Sequence, residues 1–128
     1  MARKDPSQKE KHLVYMASGG FCAFPSCKKK LVENATDVDD AAIIGQLAHI
    51  VADSRQGPRG GENLDDSDRA KSPNLLLLCS PHHTIVDSQV QTYSVGVLRQ
   101  MKADHESWVE KTLSKEEKGA LEEFIAYL

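Results

Sequence analysis

Two short metal-binding pairs, Cys22-x4-Cys27 and Cys79-x2-His82, constrain this chain more than any other feature. A tetrahedral zinc site needs four soft or borderline donors, and each close pair on a tight turn supplies two of them at one point. The first pair brackets a Pro-containing turn, FCAFPSCKKKL. The second sits in NLLLLCSPHHTIVD, which sets an Asn, a Cys, two adjacent His and an Asp beside an apolar run. Cys22, Cys27, Cys79 and His82 are thus read as one closed structural zinc site, tying the N-terminal turn to the centre of the chain.

Composition supports a metal-stabilised soluble domain. The 128 residues suffice for one domain, and the 40% hydrophobic and 27% charged fractions are ordinary for a globular protein. Aromatics are scarce at 5%, so a metal would add stability that a small core lacks. The charged opening MARKDPSQKE has no apolar leader, and no stretch is long enough to span a bilayer, so a cytoplasmic protein is expected. In a reducing compartment three cysteines point to metal rather than to disulfides. Net charge is −3, yet residues 1–30 carry about +5 and residues 31–98 about −6. A basic N-terminal region fits a phosphate backbone, or is a solvated Lys face.

The spacing predicts a first helix from an Asp5 cap with Pro6 at its first position to about Ser18, stopped by Gly19-Gly20. Residues 32–40 read as a polar loop. A strand is expected over roughly Gln46 to Val51, with His49 and Val51 on one side and Ile50 on the other. Residues 54–73 form a long Gly, Arg, Asp and Pro-rich connection, with a helical turn over Asp65 to Arg69. Connections of this length are often functional. Arg55 and Arg59 flank its Gly-Pro and read either as phosphate contacts or as solvent-exposed loop arginines.

Leu75 to Leu78 read as a buried strand. Ser80 and Pro81 then open a helix as N-cap and first residue. His83 and Asp87, four apart, share a face of that helix and can hold a hard divalent cation, Mg2+ or Mn2+. His82 points elsewhere. His49 lies outside the zinc set, and an imidazole titrating near neutrality suits a general base for water. Asn74 is expected either to orient His49 or to hold the loop. Ser94 caps a helix to about Thr112, in which His105 and Trp108 are expected to pack on the Cys turn. Ser114 with Glu117 forms a capping box for a separate amphipathic helix, residues 114–128, whose Leu121, Phe124, Ile125 and Leu128 suit oligomerisation or a linker.

The order Cys-x4-Cys, AHI, Asn74-LLLLC, Cys79-x2-His82-His83 resembles the HNH endonucleases. SGGFCAFPSCKKKL, GQLAHIVADSRQGPRG, NLLLLCSPHHTIVD and LRQMKADHE are similar to the HNH nuclease domain of bacterial anti-phage effectors, including those fused to SAVED sensor domains. The resemblance runs from about Leu13 to Glu106. It implies an α+β fold with a ββα-metal core over residues 1–113, and hydrolysis of DNA phosphodiesters to 5′-phosphate products. His49 then matches the general base, Asn74 the central Asn, and His83 the last His, a ligand of the catalytic ion. Asp87 matches a further ligand one turn on. Implied partners are DNA and a second copy or a separate sensor or activator protein. The chain departs from the pattern at Ala48, where many HNH enzymes have another metal ligand; either His83 and Asp87 hold the ion together with water and DNA, or a nearby group such as Asp53 compensates. Two rival classes are a non-catalytic zinc-stabilised nucleic-acid-binding module and a protein-interaction domain.

Overall fold

The computed structural model describes residues 5–127, with the side chains described as far as Ser114. It is an α+β arrangement of four α-helices and two small two-stranded antiparallel sheets among the described residues. At its centre is β4 (Leu75–Leu78), paired with β3 (Gln46–His49) in the register Gln46↔Leu78 to His49↔Leu75. All four leucines of β4 are at most 1% exposed, which is why the run is continuously apolar rather than alternating. Burying four leucines is worth about 6–12 kcal/mol, comparable to the net stability of a small domain, so this strand is the core around which the rest is laid.

Helix α1 (Gln8–Ala17) packs on β4 through Val14, its fully buried residue. It begins later than the Asp5-Pro6 cap predicts, because Ser7 is the N-cap and its Oγ accepts from Glu10 N at 3.3 Å. Leu13 is 45% exposed. The helix ends as expected, with Gly19 and Gly20 at φ of 63° and 77°.

Residues 32–40, expected to be loop throughout, contribute β1 (Val32–Glu33), which pairs with β2 (Ala42–Ile43). The strands are two residues each, too short for alternation to register in the sequence. β3 ends at His49 rather than Val51. Ile50 and Val51 are both fully buried, since the chain turns into the core and abandons the two-sided alternation.

Helix α2 (Asp66–Arg69) is the expected turn, followed by a short 3-10 segment (Ser72–Asn74) that leads into β4. Helix α3 (Ser80–Ser88) follows β4 directly and packs on β3. Its N-cap is Cys79, one residue before the expected Ser80, so Pro81 occupies the second position of the helix. Helix α4 (Val95–Tyr127) is continuous, and the capping box at Ser114 does not interrupt it. A cap needs extended backbone, and here Ser114 is inside the helix. The apolar face at Leu121, Phe124, Ile125 and Leu128 lies outside the described side chains. Leu98, Met101, His105 and Val109 form the buried stripe, and Lys102 Nζ donates to Leu75 O at 2.8 Å. No helix among the described residues is long and apolar enough to cross a membrane.

Candidate functional site

The two Cys and Cys/His pairs converge. The ligand atoms of Cys22, Cys27, Cys79 and His82 all lie within 4.8 Å of one another. Cys27 Sγ is 4.0 Å from Cys79 Sγ, His82 Nδ1 is 3.2 Å from Cys79 Sγ, and it is 3.8 Å from Cys22 Sγ. A tetrahedral zinc with ordinary bond lengths places its sulfurs about 3.8 Å apart and a sulfur about 3.5 Å from a nitrogen. The donor set and its spacing therefore fit a metal such as zinc.

The turn forms because Cys22 N donates to Lys29 O and Cys27 N to Phe24 O, at 2.8 and 2.9 Å. Ala23 N bonds Leu77 O at 2.9 Å, so this turn is fastened to β4, and Cys79 N donates to Cys22 Sγ at 3.4 Å. Phe24 stacks on the His82 ring with centroids 3.9 Å apart and planes 4° off parallel, fixing the imidazole edge toward the sulfurs. Burial, against hydrogen bonds from the Cys79 and Phe24 backbone, pushes the Cys22 thiol up to about 12. A metal cation bound there would favour the Cys22 thiolate at neutral pH.

His105 and Trp108 pack against this turn as expected. Lys28 Nζ donates to His105 Nδ1 at 2.7 Å, and His105 Nε2 donates to Ser18 O at 3.0 Å. Lys28 also lies 5.0 Å from the Trp108 ring centroid, and Phe21 meets Trp108 edge-on. His12 is exposed.

On the other side of α3, a cleft of about 120 Å³ is lined by Leu47, His49, Ala52, Asp53, Pro58, His83 and Asp87. It gathers the end of β3, the long connection and one face of α3. His83 and Asp87 do share a face: His83 Nε2 is 3.1 Å from Asp87 Oδ2, while His83 Nδ1 is 2.8 Å from Gln46 Oε1. Burial opposes ionisation of Asp87, but bonds from His83 and Arg59 outweigh it and hold its carboxyl below the usual range. Ala48 is fully buried and cannot line this cleft, whereas Asp53 does.

Asn74 is 5% exposed and serves the backbone rather than the cleft. Its Oδ1 accepts from Val51 N at 2.9 Å, and its Nδ2 donates to Val51 O and Arg69 O at 2.8 and 2.9 Å. Of the two expectations for Asn74, holding the loop is what its geometry does; it is a positioning residue for the segment after His49, not a group that reaches a reacting atom.

The expectation that Arg59 contacts phosphate is corrected. Its side chain is 4% exposed and every N–H is spent. Nε donates to Ile50 O at 2.7 Å, Nη1 to Val86 O and Tyr93 O at 2.8 and 3.3 Å, and Nη2 to His49 O and Asp87 Oδ1 at 3.2 and 2.7 Å. Arg55 is 61% exposed, with one long ion pair to Asp66 at 3.8 Å.

A second buried arginine escaped the sequence reading. Arg69, 1% exposed, donates through Nη1 to Ala52 O and Gly60 O, through Nη2 to Glu62 O and through Nε to Leu64 O. The long connection is therefore a fixed structure built around two guanidinium groups, which is how so many residues lacking regular elements satisfy their buried carbonyls. A charged residue amid polar ones carries no local sign of burial. The glycines of GPRG are a partial sign: a Cβ on Gly57 would lie 2.6 Å from Ala52 Cβ, and one on Gly60 would overlap Ser54 O.

No protein-family model matches the chain, and no curated protein matches its sequence.

Proposed function

We propose that the chain is a metal-dependent HNH-type endonuclease that hydrolyses DNA phosphodiester bonds with little sequence preference. The observation that carries this reading is the single cleft shared by His49, Asp53, His83 and Asp87, set on two antiparallel strands followed by a helix whose opposite side meets the Cys and His cluster. In this reading the arrangement is a ββα-metal core. Cys22, Cys27, Cys79 and His82 hold structural zinc, which makes the fold and performs no chemistry.

His83 and Asp87 would hold the catalytic ion, Mg2+ or Mn2+, which when bound polarises the scissile phosphate and offsets charge on the departing 3′ oxygen. The residues fit it. With His83 Nδ1 donating to Gln46 Oε1, Nε2 faces Asp87 Oδ2 at 3.1 Å, and a bound cation would take the place of the proton between them. His49 takes a proton from water as the water oxygen bonds to phosphorus and the bond from phosphorus to the 3′ oxygen breaks, leaving a 5′ phosphate. Asn74 and Arg59 fix the backbone from His49 to Val51, which sets where the His49 side chain enters the cleft. With Arg59 committed, Arg55 is a loop cation still open to the DNA backbone. Few elements near the cleft could read base edges, which favours backbone contacts over sequence. A role in bacterial anti-phage defence rests on the resemblance of the quoted motifs, as does action alongside a sensor or activator protein.

A second reading is favoured by one observation: Asp87 already has a cationic partner in Arg59, and Ala48 supplies no ligand. It makes the chain a zinc-stabilised nucleic-acid-binding module without catalysis. Plasmid nicking with Mg2+, Mn2+ or no added divalent ion, using wild type and His49→Ala at equal zinc content, separates the two. The nuclease reading expects ion-dependent cutting that His49→Ala abolishes. DNA binding without cutting under either ion supports the module. Equal cutting by both proteins removes His49 from the mechanism, and no DNA affinity at low salt leaves a protein-interaction domain.

A further inference from the structure

Resting on the nuclease reading, we propose that Arg59 is the positioning residue that decides which ion the cleft accepts, favouring small octahedral ions over Ca2+. Arg59 Nη2 occupies Asp87 Oδ1 at 2.7 Å, so the carboxylate presents one oxygen, Oδ2, to the cleft. That oxygen stands 3.1 Å from His83 Nε2. Two ligands at right angles around an ion with bonds of about 2.1 Å lie about 3.0 Å apart, a spacing compatible with octahedral Mg2+ or Mn2+, so the discrimination lies in the carboxylate oxygens on offer. Ca2+ takes six to eight oxygens at about 2.3–2.6 Å and commonly grips a carboxylate by both.

Gripping Asp87 that way would need Oδ1, and Arg59 cannot release it cheaply. The other four N–H groups of Arg59 are fixed on the carbonyls of His49, Ile50, Val86 and Tyr93, so the guanidinium cannot swing aside as a unit. With Arg59 4% exposed, losing that acceptor would leave a largely desolvated cation short of a partner, which is costly. The backbone adds to the restraint: Arg59 has φ of 57°, and Gly60 beside it has no room for a side chain. The same fork that joins the end of β3 to α3 thus holds Asp87 as a one-oxygen ligand.

The test is Mn2+ binding to the full, zinc-loaded chain, followed by electron paramagnetic resonance, with Mg2+ and Ca2+ as competitors. In the wild type Mg2+ displaces Mn2+, and Ca2+ requires roughly tenfold more or beyond. Arg59→Lys keeps a charge but cannot span five acceptors; it weakens Mn2+ binding by roughly 10- to 100-fold, the usual effect of removing a residue that orients a ligand, and erases the preference against Ca2+. Zinc content and a cooperative melt establish that the variant is folded. Should it not fold, Asp87→Glu carries its carboxylate past the guanidinium and likewise loses the preference. Equal displacement by Ca2+ and Mg2+ in the wild type overturns this inference and leaves the nuclease reading standing, as does unchanged selectivity in the folded variants. A wild type that binds no Mn2+ overturns both.

Discussion

Replacing His82 and His83 one at a time should give opposite phenotypes, although the two are adjacent on α3. His82→Ala removes one of four donors lying within 4.8 Å of one another and leaves Phe24 without its stacking partner. Structural zinc contributes about 10–16 kcal/mol where it has been measured in small domains, as much as the entire net stability of most domains, about 5–15 kcal/mol. Losing even a third of that through a three-ligand site leaves little margin. The cluster also joins the Cys turn to β4 and α3, so its loss is not local. His83→Ala removes contacts to Gln46 and Asp87 in a side chain that is 28% exposed, and Asp87 retains Arg59. After discounting for solvent, that costs about 1 kcal/mol or less. Thermal melts and zinc content read together are the assay. The expected result is a zinc-poor His82→Ala chain without a cooperative transition and a zinc-replete His83→Ala chain that melts within a few degrees of wild type. A His82→Ala protein with a normal melt and no zinc would refute the structural role of the cluster, and an unfolded His83→Ala protein would refute the separation of the two sites.

Two further outcomes follow from buried polar groups. Asn74→Ala strands Val51 N–H, Val51 O and Arg69 O, at about 1–3 kcal/mol for each group left unsatisfied; urea unfolding should show a loss of at least about 3 kcal/mol with zinc retained, and a loss under about 1 kcal/mol would mean that water takes over these bonds. His105 has its pKa lowered by burial, opposed by the Ser18 carbonyl, with Lys28 lowering it further and Glu106 raising it. The unfolded chain then binds the proton more readily, so the contribution of His105 is complete above about pH 6.5 and is lost as pH falls from there through the depressed folded value. Urea midpoints from pH 7 to 5 should decline less steeply in His105→Gln than in wild type, and parallel declines would contradict the burial argument.

What was legible in the sequence was whatever depends on spacing along a turn or a helix. Cys22-x4-Cys27 and Cys79-x2-His82 meet as their spacing demands, and the four-residue step from His83 to Asp87 places both on one face. The run of leucines marked β4 to the residue. Arg59 and Arg69 were not legible, because their burial is set by carbonyls brought from distant segments, and a guanidinium at the surface looks the same in a sequence as one in the interior. The Ser114 capping box failed for the converse reason: a local signal compatible with a helix start is equally compatible with helix interior when the preceding residues are already helical.

The adjacency of His82 and His83 follows from the economy of a short helix. α3 has one side against the Cys turn and another against the end of β3, and consecutive residues on a helix point about 100° apart, so neighbouring positions can serve different sides. A metal held by the four donors would lock the start of this helix through Cys79 and His82. Arg59 locks its far end by binding Val86 O and Asp87 together with His49 O and Ile50 O. A helix of nine residues would be marginal alone, and here both ends are fixed by groups outside it. The cleft therefore inherits its geometry from two anchors of different chemistry. Removing the metal should therefore release the His83 end first and the fold with it, since Arg59 alone leaves a nine-residue helix anchored at one end only.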